Sequence, residues 1–291
     1  KEDFKRPLFE AIKKAVNIPI IVAGGYRNPD ISEKIVSDGV ADFLGIARPL
    51  LADPQWPQKA AQGKVDEIRK CLSCGECLYV RGGAFNYPQS CAVNAVFGRE
   101  KDWTDIEPAP EEKKVMVIGG GPAGMEAARV ASLRGHCVSL YEKGDALGGQ
   151  LLLASKPPGK KRMLWLKDYL ANQITKQGVN IKFGVEVTQE LIAAENPDKI
   201  IMATGAIPKQ SDIPGNETNN VVLAWDVLLG EVPLKNQKVA VIGGSMLACE
   251  TAELIASWGN EVAVVKMRPG SYMAEDCEPT NRRGIMEFMQ E

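Results

Sequence analysis

Cys71, Cys74 and Cys77, in KCLSCGEC, place three thiols at intervals of three residues, and Cys91 follows after thirteen intervening residues. Four thiolates from one loop can close a tetrahedral sulfur site. Three clustered cysteines plus one distant one suit an iron–sulfur cluster, whereas structural zinc more often takes two separated C-x2-C pairs. On spacing alone both groups stay open. Gly75 suits a chain that must turn tightly round its ligand. The other thiols, Cys137, Cys249 and Cys277, fall in helix or strand patterns and are expected as small packing side chains. With a single histidine, His136, there is little material for a histidine base or a histidine-rich metal site, and no catalytic residue is assigned.

Glycines form the second chemical feature. VMVIGGGPAG holds Gly119-x-Gly121-x-x-Gly124 between a predicted strand and a predicted helix, and Glu142 ends the next strand. Gly119 permits the tight turn, Gly121 lets the backbone approach a pyrophosphate, and Gly124 lets helix pack on strand. The helix start offers free N–H groups and partial positive charge to phosphates, and Glu142 can accept hydrogen bonds from ribose hydroxyls.

The pattern repeats. KVMVIGGGPAGMEAARVASLRGHCVSLYEK and KVAVIGGSMLACETAELIASWGNEVAVVKM align at one constant offset, pairing Gly119 with Gly243, Gly121 with Ser245, Gly124 with Ala248 and Glu142 with Lys266. In the second copy Ser245 replaces the glycine that approaches the pyrophosphate. Lys266 stands where the first copy has its carboxylate, with Arg268 two residues on. A cation there favours a 2′-phosphate, so the pattern points to NADPH, with NADH and a relaxed, poorly occupied site as alternatives.

The leading segment reads as helix (5–16), strand (18–25), helix (29–39), strand (41–48) and helix (49–63), a β/α unit of a parallel sheet. Its strands end at Gly24-Gly25 and at Arg48. In a β/α barrel such ends commonly hold a phosphate, for which the amides near Gly25 and Ala47 and the Arg48 side chain are suited.

The chain has 291 residues, 45% hydrophobic and 25% charged, with net charge −2. That length fits about two domains of roughly 100–200 residues. Interspersed charge argues against nucleic acid or an anionic membrane as partner, and no apolar run approaches the roughly 18 residues of a membrane span. Seven cysteines, an odd number, suggest a reducing compartment, here the cytoplasm. The chain opens on Lys1 and stops at Glu291 inside a helical pattern, GIMEFMQE, so a piece of a longer polypeptide is expected.

The order of these parts resembles a known family. GGYRNPDISEKIVSDGVADFLGIARPLLADPQWP looks like the last two β/α units of an FMN-binding TIM barrel of the old-yellow-enzyme kind. CLSCGEC…SCAVNAVFGRE looks like the [4Fe–4S] segment that follows it. KKVMVIGGGPAGMEAARVASLRGHCVSLYEKGDALGGQL and MATGAIPKQSDIPG look like Rossmann-like FAD and NAD(P) domains of the disulfide-reductase type. The chain is thus similar to the C-terminal half of the NADH:flavin oxidoreductase group of 2,4-dienoyl-CoA reductase, 2-enoate reductase and trimethylamine dehydrogenase.

The resemblance implies an α/β fold in four parts: a barrel remnant (1–58), an iron–sulfur segment (59–110), the N-terminal part of an FAD domain (111–212) and a truncated NAD(P) domain (213–291). It implies electrons passing from NADPH or NADH through FAD and [4Fe–4S] to FMN, and then to the C=C bond of an α,β-unsaturated acyl substrate. An amine dehydrogenase with a vestigial second nucleotide site, or a non-catalytic electron-transfer module, is the alternative. Cys71, Cys74, Cys77 and Cys91 would hold the cluster, and Gly24, Gly25, Ala47 and Arg48 the FMN phosphate. Gly119, Gly121, Ala123, Gly124, Glu142, Gly149, Gln150, Val187, Thr204 and Gly205 would line FAD. Gly243, Gly244, Ser245, Lys266 and Arg268 would face the nicotinamide nucleotide. The expected partner is a small unsaturated acyl molecule rather than nucleic acid or membrane, with a homo-oligomer open.

Overall fold

The computed structural model describes residues 3–79, 89–103, 105–209, 212–266 and 273–289. The chain divides into two units, Lys1–Asp105 and Ile106–Glu291.

In the first unit, Pro7 opens the helix Arg6–Ala15, where its missing N–H has no partner to lose. Strand β1 (Ile21–Ala23) follows, then the helix Pro29–Ser37, then β2 (Phe43–Gly45). Asn28 caps that second helix, its side chain accepting the Asp30 N–H at 3.2 Å. β1 and β2 pair in parallel, Ile21 with Phe43, Val22 with Leu44 and Ala23 with Gly45. Phe9, Val22, Tyr26, Ile35, Val40 and Ala41 form the core beneath them. Asp42 fixes the register from the side: it accepts Lys13 Nζ at 2.5 Å and the Ile20 N–H at 2.7 Å.

Both strands are shorter than the apolar runs 18–25 and 41–48 suggest. After Ala23 the backbone turns at Gly25, whose φ of +87° breaks the ladder. After Gly45 the chain leaves the ladder, and Arg48 opens the short helix Arg48–Ala52 just past the end of β2. The single helix expected over 49–63 is two, Arg48–Ala52 and Trp56–Ala61. The break falls at Asp53, which precedes Pro54 and is held out of the helical region by it. The Asp53 carboxylate, 2% exposed, is satisfied by the Gln55 N–H, Lys59 Nζ and the Arg69 N–H at 3.1, 2.7 and 2.9 Å.

The second unit holds a four-stranded parallel sheet ordered β5-β4-β3-β6, built from β3 (Lys114–Ile118), β4 (Cys137–Glu142), β5 (Asn180–Phe183) and β6 (Lys199–Met202). The helix Pro122–Leu133 crosses from β3 to β4, and Met163–Lys176 packs beside it. Val117, Met125, Leu140, Leu170 and Ile174 fill the layer between sheet and helices. Their near-continuous apolar character is what a parallel strand covered by helices requires.

The internal repeat is visible in three dimensions. β7 (Lys238–Ile242), the helix Met246–Ser257 and β8 (Glu261–Val265) reproduce the unit made by β3, Pro122–Leu133 and β4, with twelve-residue helices in both. Among the described residues no helix is long and apolar enough to cross a membrane.

Candidate cluster and nucleotide sites

The four motif cysteines meet. Cys71, Cys74, Cys77 and Cys91 line one cavity, together with Arg48 and Glu76. Cys71 is buried and the other three are half-buried. The chain reaches this arrangement through two left-handed residues, Ser73 at φ +59° and Gly75 at φ +84°. Glycine adopts that conformation freely, whereas a serine there costs about 1–2 kcal/mol. The Ser73 N–H donates to Cys71 Sγ at 3.4 Å, so the turn directs a donor at a sulfur.

Burial pushes the Cys74 thiol up, and the neighbouring Cys91 and Cys71 push it further, while a bond from the Glu76 backbone pulls it down. Burial likewise raises Cys77, with Arg48 opposing. Crowded sulfurs that repel one another as thiolates are what a positively charged metal centre relieves. Among the described residues no three His, Cys, Asp or Glu side chains are arranged to hold a single metal ion. Four soft sulfur donors round one cavity are the ligand type that iron–sulfur groups and zinc both take, and three clustered cysteines plus one distant one is the spacing that suits the iron–sulfur group.

Gly24, Gly25, Ala47 and Arg48 sit where the paired strands β1 and β2 end, on one edge of one sheet. Arg48 belongs to both groupings, because it follows β2 and also lines the cysteine cavity.

In the second unit, Gly119, Glu142, Val187 and Thr204 lie at or just beyond the C-terminal ends of β3, β4, β5 and β6, which is where open parallel sheets bind ligands. Each glycine has its own reason. Gly119 has φ +108°, and a Cβ on it would stand 2.3 Å from the Ala203 carbonyl oxygen. A Cβ on Gly124 would stand 1.8 Å from the Gly119 carbonyl oxygen. Gly121 differs: its φ is −72° and a Cβ there would meet only Gly149 Cα, at 4.0 Å. The protein leaves that side open, and Gly121 makes no side-chain cap over the helix Pro122–Leu133 that starts at Pro122 and Ala123. Open backbone beside an uncapped helix start fits a pyrophosphate.

Glu142 is held in place by this loop, its Oε2 accepting the Gly120 N–H at 2.6 Å and its Oε1 the Gly144 N–H at 2.7 Å. Gly149, at φ +50°, faces Gly121, and Gln150 Nε2 donates to the Ala206 carbonyl at 3.2 Å, beside Gly205.

The second copy is arranged differently. Gly243 keeps the left-handed turn at φ +140°. Ser245 is a helix cap, its Oγ accepting the Ala248 N–H at 3.4 Å. The Ala274 N–H donates to the Gly244 carbonyl at 2.7 Å, and Asp276 Oδ1 accepts the Met246 N–H at 2.7 Å. The Lys266 stem lies across Gly244, where a Cβ would stand 2.5 Å from Cδ, and Lys266 Nζ is 3.9 Å from Glu275 Oε2. Arg268 lies outside the described residues. Asp276 and Glu275 escape sequence reading because they stand beyond the motif and meet it only through folding.

Comparison with known proteins follows this division. The pyridine nucleotide-disulphide oxidoreductase family matches residues 113–291, and the NADH:flavin oxidoreductase / NADH oxidase family matches residues 3–67. The chain is 47% identical over 285 residues to the NADH oxidase of Thermoanaerobacter brockii, covering 96% of this chain and 43% of that protein. It is 39% identical over 270 residues to the cinnamate reductase of Clostridium sporogenes, covering 92% and 40%. The structure of 2-naphthoyl-CoA reductase with 2-naphthoyl-CoA superposes with a TM-score of 0.93 at 35% identity, over 100% of this chain and 44% of that one. The chain thus spans about two fifths of the length of the curated relatives it matches. By sequence, fold and the placement of its glycines, the chain belongs to the pyridine nucleotide-disulphide oxidoreductase family, with a leading segment of the NADH:flavin oxidoreductase family.

Proposed function

We propose that the protein containing this chain is an iron–sulfur flavoprotein that carries electrons from NADH or NADPH through FAD and [4Fe–4S] to FMN, and reduces the C=C bond of an α,β-unsaturated acyl substrate. The observation that carries this reading is Arg48: the strand-end cation suited to a flavin phosphate lines the same cavity as the four cysteines. The names of two relatives, cinnamate reductase and 2-naphthoyl-CoA reductase, support the unsaturated acyl class.

When bound, the flavins and the cluster would supply the exchange between two-electron and one-electron transfer. The chain's own residues do the holding. Cys71, Cys74, Cys77 and Cys91 would ligate the cluster. Gly24, Gly25, Ala47 and Arg48 would receive the FMN phosphate. The open backbone at Gly121 and the helix start at Pro122 would receive the FAD pyrophosphate, with Glu142 oriented by Gly120 and Gly144 toward the ribose. The reduced thiols suit the cytoplasm.

The test is anaerobic mixing of the full-length protein with NADH and with NADPH, followed by a cinnamate-type acyl substrate. Bleaching of the flavin by either nucleotide and its recovery on adding substrate are expected. No flavin reduction by either nucleotide would sink the ene-reductase reading. The second reading, an amine dehydrogenase that does not use its second nucleotide site, is favoured by Asp276 on the Met246 N–H. Flavin reduction by an amine and not by NAD(P)H would establish it. A colourless protein holding zinc without acid-labile sulfide would refute the cluster.

A further inference from the structure

Arg27 is a charged side chain only 8% exposed, placed just past the glycines that end β1. A guanidinium stays protonated at any physiological pH, so burying it needs a reason. Its Nη1 donates to the Gly25 carbonyl at 2.5 Å, and its Nη2 donates to Ser73 Oγ. The backbone around it is fixed too: its carbonyl accepts the indole N–H of buried Trp56 at 3.1 Å. One rigid cation therefore ties the loop after β1 to the loop between Cys71 and Cys74.

Ser73 is the informative end of this link. It is a serine in the left-handed region, φ +59°, and its N–H donates to Cys71 Sγ, 3.4 Å away. The hydroxyl bonded to Arg27 holds the residue there. Hydrogen bonds to ligating sulfurs and nearby positive charge both favour the reduced form of an iron–sulfur cluster and raise its potential.

We propose that Arg27 is a positioning residue for the cysteine-held cluster: through Ser73 it fixes the N–H donor on Cys71 Sγ, and it couples the cluster's potential to the Gly24-Gly25 loop. This rests on the reading that the four cysteines hold [4Fe–4S].

The experiment is a redox titration of the cluster in the full-length protein, followed by electron paramagnetic resonance, with iron and acid-labile sulfide measured on the same samples. Arg27→Gln should lower the midpoint potential by about a tenfold change in the reduction equilibrium, about 59 mV for one electron. Arg27→Lys, which keeps the charge but not the two-pronged geometry, should recover only part of it. Ser73→Ala should shift the potential in the same direction, and the double variant should fall no further than Arg27→Gln alone. A midpoint unchanged in Arg27→Gln with iron retained would overturn the proposal, as would additive shifts in the double variant. If Arg27→Gln loses its iron, Ser73→Ala decides by the same criterion. Wild-type protein without iron, sulfide or a cluster signal would instead refute the underlying cluster reading.

Discussion

Asp276 Oδ1 accepts the backbone N–H of Met246 at 2.7 Å, at the start of the helix where the second copy of the nucleotide unit would receive a pyrophosphate. In the first copy the cap residue, Gly121, has no side chain to offer, and the nearby carboxylate of Glu142 accepts the Gly120 N–H instead. An anion already seated at a helix N-terminus competes with a second one for the same N–H groups and the same partial charge. Asp276→Asn keeps an acceptor for the Met246 N–H and removes the charge. It should tighten NADH or NADPH binding by about two- to fivefold, from the roughly 0.3–1 kcal/mol that a charge is worth at a helix end. Anaerobic titration of the full-length protein with each nucleotide checks this, and unchanged or weaker binding would contradict it.

Gly121 and Gly124 serve different purposes and should fail differently. A Cβ on Gly124 has nowhere to go, being 1.8 Å from the Gly119 carbonyl oxygen, so Gly124→Ala should cost at least the 1–3 kcal/mol or so of an overpacked core. Gly121→Ala meets nothing closer than 4.0 Å within the protein. It should leave Tm within a few degrees of wild type, yet lower FAD affinity tenfold or more by blocking the close backbone approach. Thermal unfolding of the FAD-free protein and flavin retention on gel filtration separate the two. A Gly121→Ala protein that binds FAD normally would remove the ligand-based reason for that glycine.

The division of labour between these two glycines was legible in the motif, which marks Gly121 for close backbone approach and Gly124 for packing of helix on strand. Spacing located Gly119, Gly121, Gly124 and Glu142 because each answers a local requirement of a strand–turn–helix unit. Likewise the cysteine spacing pointed to one ligand site, because a short loop can bring its own residues together. What spacing could not reveal is partnership across the chain. Ser245 reads as a damaged glycine motif, yet it caps its helix. Asp276 stands well past β8 and reaches Met246 only when the chain folds back. Arg27 resembles any surface arginine until Ser73 and Gly25 are seen around it. Strand lengths were overestimated for a simpler reason: an apolar run records burial, whereas a ladder also needs a neighbour, and pairing stops at Ala23 and Gly45, ahead of the turn at Gly25 and the helix that starts at Arg48.

Asp42 supplies a test by pH. Hydrogen bonds from Lys13 and from the Ile20 N–H hold its carboxyl below the ordinary carboxylate value. A depressed carboxylate contributes stability above its unfolded pKa of about 3.9 and loses it as pH falls through the folded value. Tm of the wild type should therefore drop steadily below about pH 4. Asp42→Asn should begin with a lower Tm at neutral pH and show a flatter acid limb. Parallel curves for the two proteins would show that Asp42 adds nothing to the pairing of β1 and β2.

The seven thiols should divide into four and three. Cys71, Cys74, Cys77 and Cys91 share a cavity, whereas Cys249 and Cys277 belong to an apolar cluster with Ala274 and Ile285, and Cys137 is exposed on β4. Replacing any one of the four by alanine should strip iron and acid-labile sulfide from the full-length protein, because a cluster held by four thiolates loses a ligand and its charge balance. Alanine at Cys249 or Cys277 should leave the metal content unchanged and lower stability by only about 1 kcal/mol, the cost of a small buried void. In metal-free protein, burial holds the thiols of Cys249 and Cys277 high, so an alkylating reagent at neutral pH should label Cys137 well before either of them. Iron analysis of the single-alanine series, with mass spectrometry of the alkylated protein, reads out both halves. Iron retained without Cys91 would show that the distant thiol is not the fourth ligand.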